Sequence, residues 1–181
     1  MKNGSLKKVL AICGSTRRNS TNLQIIKAIE ILAAGLMEFE IYNELAGLPH
    51  FNPDIDIEKA PPIVEAFREK IARADGVLIC TPEYVFSLPG SLKNAIEWTI
   101  STTILSNKPV AIITASGLGE KAHESLQLIM KTVEASMTSQ TQLLIQGARA
   151  KLNSSGGFAD EVLLHKVKAL ISGMTAMMNE A

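Results

Sequence analysis

The chain has 181 residues, 46% hydrophobic and 20% charged, which suits one folded domain with a substantial core and excludes a disordered chain. Lysine plus arginine equals aspartate plus glutamate, 18 of each, so no basic field exists to hold a nucleic acid or an anionic membrane. No apolar run is long enough to span a bilayer, and Met1-Lys2-Asn3-Gly4 leads into a strand pattern instead of a secretory leader, so a cytoplasmic protein is expected.

The apolar run Val9-Leu10-Ala11-Ile12-Cys13 predicts a buried first strand over residues 8–13. After the polar stretch Gly14 to Asn22, Ser20 or Thr21 is a good N-cap for a helix that stops at Gly35. Phe39 and Ile41 alternate with acids near Glu38–Tyr42, the pattern of a half-covered edge strand. Residues 43–60, with Pro49, His50, Phe51, Asn52 and Pro53, read as a long irregular segment. Pro61-Pro62 opens a second helix carrying Ile63, Val64, Phe67, Ile71 and Ala74 on one face. Val77–Cys80 predicts the third strand, and Pro89-Gly90 introduces a helix over 91–100. A fourth strand over 110–115 is broken by Gly117 and Gly119. Leu126, Ile129, Met130, Val133 and Met137 mark a fourth helix, and residues 142–145 a fifth strand. Leu163, Val167, Leu170, Ile171, Met174 and Met178 mark a fifth helix, whose methionines suit packing or a subunit contact.

Strict alternation with no linker or repeat predicts a single α/β domain over residues 1–181: a parallel sheet, right-handed crossovers, and helices on both faces. Strand order 2-1-3-4-5 and half of a six-stranded dinucleotide fold both satisfy the alternation. Three apolar central strands flanked by two more polar ones favour the five-stranded order. Ligands of such sheets bind at loops leaving the carboxyl ends of strands, so the loops after the first and third strands face one crevice.

The first loop has the chemistry of a phosphate cradle. Ser15, Thr16, Ser20 and Thr21 supply hydroxyls, Arg17 a fork of donors, and the following helix its unpaired N–H groups. The same residues also read as an ordinary turn in which Ser20 or Asn22 caps the helix. No Gly-Lys-Ser/Thr ending is present, which disfavours a nucleotide-hydrolysing P-loop. The second loop is stiffened by Pro82 and Pro89 and offers the flat surfaces of Tyr84 and Phe86, a platform for a conjugated ring. Lys93 and Glu97 read as a surface i,i+4 pair and Trp98 as a packing anchor. The third loop, Ser116-Gly117-Leu118-Gly119-Glu120-Lys121-Ala122, matches G-x-G-x-x-A in form, but it follows the fourth strand instead of the first. Its flexible backbone suits close approach of a ring. Cys13 and Cys80 read as inert buried thiols, and His50, His123 and His165 lack ligand spacing for a metal. No nucleophile elbow is present.

At these residues the chain resembles the NADPH-dependent FMN reductase family of flavodoxin-like proteins, which includes quinone, chromate and azo-dye reductases. The family's opening signature, G-S-x-R-x-x-S-x-N, is matched by Gly14, Ser15, Arg17, Ser20 and Asn22. Its second is matched by Pro82, Glu83, Tyr84, Ser87, Pro89, Gly90, Leu92, Lys93, Asn94, Ala95, Glu97 and Trp98. The resemblance implies a flavodoxin-like three-layer sandwich of strand order 2-1-3-4-5 that binds FMN. It implies that Ser15, Arg17, Ser20, Thr21 and Asn22 hold the phosphate. Pro82, Glu83, Tyr84, Val85, Phe86 and Ser87 would border the ring, with Ser116 and Gly117 at its other edge. The implied activity passes hydride from NADPH or NADH to FMN and onward to a quinone, free flavin, azo compound or metal oxyanion, with no side-chain acid or nucleophile. A homodimer or homotetramer is implied as well. The alternatives are a flavodoxin-type electron carrier, which the balanced charge disfavours, and an FMN-binding module without turnover. Three departures stand out: Val85 in place of the family's asparagine, the apolar Phe86, and a third loop lacking the second glycine pair.

Overall fold

Alternation of side chains along apolar strands builds two cores, one on each face of a single sheet. The computed structural model describes residues 6–153 and 155–181; Met1-Lys2-Asn3-Gly4 lies outside them. The first half runs β1 (Lys7–Cys13), α1 (Thr21–Leu32), β2 (Met37–Tyr42), α2 (Pro53–Lys59), α3 (Pro62–Arg73) and β3 (Gly76–Thr81). The second half runs α4 (Gly90–Glu97), β4 (Val110–Ser116), α5 (Glu120–Thr132), β5 (Gln142–Gln146) and α6 (Glu161–Glu180).

All four strand pairings are parallel, in the order β2-β1-β3-β4-β5. This is the expected five-stranded order, and it excludes the half-dinucleotide alternative. Leu10, Ile12, Val77, Ile79, Val110 and Ile112 face α3, α4 and α5. Val9, Ala11, Cys13, Leu78, Cys80, Ala111 and Ile113 face α1 and α6. Each valine, leucine or isoleucine among them, withdrawn from water, contributes about 1.5–3 kcal/mol. β3 is buried throughout, while β2 alternates buried and exposed positions as an edge strand should.

Several element boundaries differ from expectation. Residues 43–60 are not irregular throughout: a 3-10 turn spans Leu45–Gly47, and α2 follows with Asn52 Oδ1 accepting from the Asp54 amide at 2.9 Å. The Asn52-Pro53 pair is therefore an N-cap and first helical residue, not a breaker. Periodicity missed α2 because it buries no apolar stripe. An ion pair anchors it instead, with Arg68 Nη2 donating to Asp56 Oδ1 at 2.6 Å and both side chains almost inaccessible. α4 stops at Glu97 and gives way to a 3-10 turn, and α5 stops at Thr132, leaving Met137 in the connection but still packed on the core.

Two smaller expectations hold. Lys93 Nζ donates to Glu97 Oε1 at 2.6 Å on the surface of α4. Trp98 is fully buried, and its Nε1 donates to the Pro49 carbonyl at 2.8 Å, which pins the long connection after β2 against α4.

Candidate functional site

Parallel strands deliver their following loops to one edge of the sheet, and there a hollow of about 440 Å³ opens. Its walls come from the loops after β1, β3, β4 and β5. The two loops that the signatures single out therefore meet, with Arg17 and Tyr84 on the same hollow.

The first loop leaves β1 at Gly14, whose amide donates to the Cys80 carbonyl at 2.8 Å. A Cβ there would lie 2.5 Å from Thr81 Oγ1, so only glycine lets the loop leave so close to β3. Ser15, Arg17, Ser20, Thr21 and Asn22 all line the hollow. Ser20 Oγ accepts from the Asn22 amide at 3.1 Å, so it is indeed the cap of α1. The cap and cradle readings are compatible, since the same turn that caps α1 faces the hollow. Asn22 is a buried strut: Nδ2 donates to the Ala115 carbonyl at 3.4 Å, and Oδ1 accepts from Cys80 Sγ at 3.3 Å. It ties the start of α1 to both β3 and β4.

The second loop divides. Pro82 and Tyr84 line the hollow; Glu83, Val85, Phe86 and Ser87 do not. Glu83 turns away, its carboxylate accepting from the Gly119 amide at 3.2 Å and the Ala122 amide at 3.0 Å. Gly119 has no side chain with which to cap α5, so Glu83 supplies the cap from another loop, its negative charge at the positive end of the helix dipole. Tyr84 and Ser87 exchange two backbone hydrogen bonds of 3.0 Å, closing a two-residue turn with φ of 51° at Val85 and 56° at Phe86. That left-handed geometry favours asparagine and glycine, and it is strained for a β-branched residue. Val85 is 96% exposed and Phe86 71%, on the turn that follows Tyr84.

From the third loop Ser116 and Gly117 line the hollow, and a Cβ on Gly117 would meet nothing within 4 Å. A fourth wall, Gly147 to Ala150 after β5, was not anticipated from the sequence. The signal was available in principle: a strand end followed by glycine and a basic residue, the logic that singled out the first loop.

Electrostatically the lining holds two arginines, Arg17 and Arg149, and no carboxylate. The two thiols are free and buried side by side, Cys13 opposite Cys80 in the ladder. Burial pushes the Cys13 thiol up, opposed by hydrogen bonds to Ser15 and Ser20, and pushes Cys80 up further, with the neighbouring Cys13 adding to it. Neither is poised as a nucleophile. The hollow offers donors, hydroxyls, positive charge and flat surface, but no group set up as a general base.

Residues 7–150 match the family described as NADPH-dependent FMN reductase. The chain belongs to that family. An NAD(P)H:quinone oxidoreductase of Solanum tuberosum is 31% identical over 178 residues, covering 94% of this chain and 92% of that protein. A 2-hydroxy-1,4-benzoquinone reductase of a Burkholderia species is 32% identical over 160 residues, covering 85% of this chain and 86% of the relative. Among solved structures, FerB, a flavoenzyme NAD(P)H:(acceptor) oxidoreductase from Paracoccus denitrificans, superposes with a TM-score of 0.86 at 29% identity, covering 97% of this chain and 98% of that one. Among the described residues, no helix is long and apolar enough to cross a membrane.

Proposed function

We propose that this chain is an FMN-dependent NAD(P)H oxidoreductase that reduces quinones. The observation that carries the reading is the meeting of Arg17 and Tyr84 on one hollow whose lining includes no carboxylate.

FMN fits the residues present. A phosphate dianion suits the Ser15, Ser20 and Thr21 hydroxyls, the Arg17 fork and the positive end of the α1 dipole. A planar ring suits the rigid Pro82 and Tyr84 side, with the open backbone of Ser116 and Gly117 able to approach its other edge. The bound flavin supplies hydride acceptance and electron donation, while the protein supplies position and electrostatics. Asn22 holds the phosphate loop in register with β3 and β4. Glu83 holds the second loop to the third through the Gly119 and Ala122 amides. The exposed apolar side chains of Val85 and Phe86, on the turn beside Tyr84, suit an aromatic acceptor better than a hydrated one. Two free, buried cysteines suit a reducing cytoplasm, and the family resemblance supports a homo-oligomer.

The test is reconstitution with FMN, then anaerobic mixing with NADPH or NADH while the flavin absorbance is followed. Bleaching by a nicotinamide and recovery on adding a benzoquinone are expected. A protein that takes up FMN but is bleached by neither nicotinamide would sink the enzyme reading and favour a binding module.

A further inference from the structure

Two of the five arginines line the hollow, Arg17 after β1 and Arg149 after β5, and neither has a counter-ion among the described residues. Outside the hollow Arg18 likewise has no ion pair among the described residues, while two arginines are paired. Arg68 pairs with Asp56 and Glu65, and Arg73 with Glu69.

Acids on neighbouring segments have hydrogen-bond partners other than Arg149. Glu120 Oε1 accepts from Gln146 Nε2 at 3.1 Å. Asp160 caps α6 through the Val162 and Leu163 amides and pairs with Lys151. A hollow of about 440 Å³ is about one Debye length across, ~8–10 Å at physiological salt, so charges on its walls feel each other. Two guanidiniums facing one such space repel unless an anion settles between them.

The turn that carries Arg149 is held in place. The Gly147 amide donates to the Gly117 carbonyl at 3.0 Å, and the Ala150 amide to the Gly147 carbonyl at 2.9 Å. Gly147 takes φ of 61° to start this turn, and Ala148 is buried beneath it. The connection on which Arg149 rides leads into α6, which shares a face of the sheet with α1. The hollow thus lies between the first turn of α1 and the turn bearing Arg149.

We propose that Arg149 is the second arm of a clamp on the phosphate dianion of the flavin nucleotide, an anchor outside both sequence signatures; this rests on the flavin reading above. Arg17 and the amides of α1 approach the dianion from one side, and Arg149 approaches from the other. A phosphate accepts two such forks without competition, because it has acceptor oxygens on every side.

The test is fluorescence titration of flavin-free wild type, Arg149→Ala and Arg149→Lys with FMN and with riboflavin, which carries the same ring and no phosphate. Arg149→Ala is expected to weaken FMN about tenfold or more while leaving riboflavin unchanged. Arg149→Lys is expected to recover part of the loss, since it keeps the charge without the fork. Equal melting of the flavin-free proteins is expected, because Arg149 has no ion pair among the described residues to lose. Unchanged FMN affinity overturns the proposal, and so does an equal loss for riboflavin, which would place Arg149 at the ring or the ribityl chain. A variant that binds FMN normally and loses only NADPH also overturns it, in favour of a nicotinamide phosphate. A wild type that takes up neither flavin overturns the flavin reading and the clamp together.

Discussion

The carboxylate of Glu83 accepts the Ala122 amide at 3.0 Å, so the loop after β3 caps the helix that follows β4. The same carboxylate takes the Gly119 amide at 3.2 Å. One side chain therefore satisfies two otherwise orphaned donors and joins two walls of the site.

Replacing Glu83 by alanine should lower stability by about 0.5–2 kcal/mol, the range for a lost N-cap. Glu83→Gln keeps an acceptor but loses the charge at the helix terminus, so it should lose less. Urea denaturation of the three proteins measures both effects. Equal midpoints for wild type and Glu83→Ala would contradict the capping role.

Val85 sits in a left-handed conformation, φ 51°, with its side chain almost wholly in solvent. It therefore bears conformational strain without offsetting burial. Left-handed backbone costs a residue with a Cβ about 1–2 kcal/mol, less for asparagine. Val85→Asn should raise stability by about 1 kcal/mol, read as a higher denaturation midpoint at unchanged slope. A lower midpoint would show that the exposed valine is stabilised by something besides its own turn.

His123 predicts a pH dependence. Burial pulls its imidazole below the ordinary value near 6.5, and Nδ1 lies 3.0 Å from Thr114 Oγ1. The unfolded chain therefore binds a proton where the folded chain does not. Stability from this group is complete above the unfolded value, falls as pH drops from there toward the lowered folded value, and levels off below it. Comparing melting of wild type and His123→Gln between about pH 7 and pH 5 checks this, with a shallower slope expected for the variant. Identical slopes would contradict it.

The sheet was legible because its central strands are short, wholly apolar runs such as Val77-Leu78-Ile79-Cys80, and each ends in a polar or glycine-containing loop. Strand order followed from which runs were most apolar. α2 was not legible: it is held by Arg68 and Asp56, a long-range pair that leaves no periodic trace. The first loop lines the hollow, yet the role of Asn22 as a strut depends on β3 and β4 partners that only the fold brings near. Glu83 illustrates the same limit. Its place in the signature resembles a ligand contact, while its hydrogen bonds go to amides about forty positions away in the chain. Arg149 was missed because it lies outside either signature, on the exit of a strand that looked peripheral.

One flavin nucleotide is expected to touch both Arg17 and Tyr84. The most direct measurement is FMN and riboflavin affinity, by fluorescence quenching, of wild type, Arg17→Ala and Tyr84→Ala. Arg17→Ala should weaken FMN by about 1.5–3 kcal/mol and spare riboflavin, while Tyr84→Ala should weaken both flavins by about 0.5–1.5 kcal/mol. Wild-type FMN affinity in either variant would contradict it.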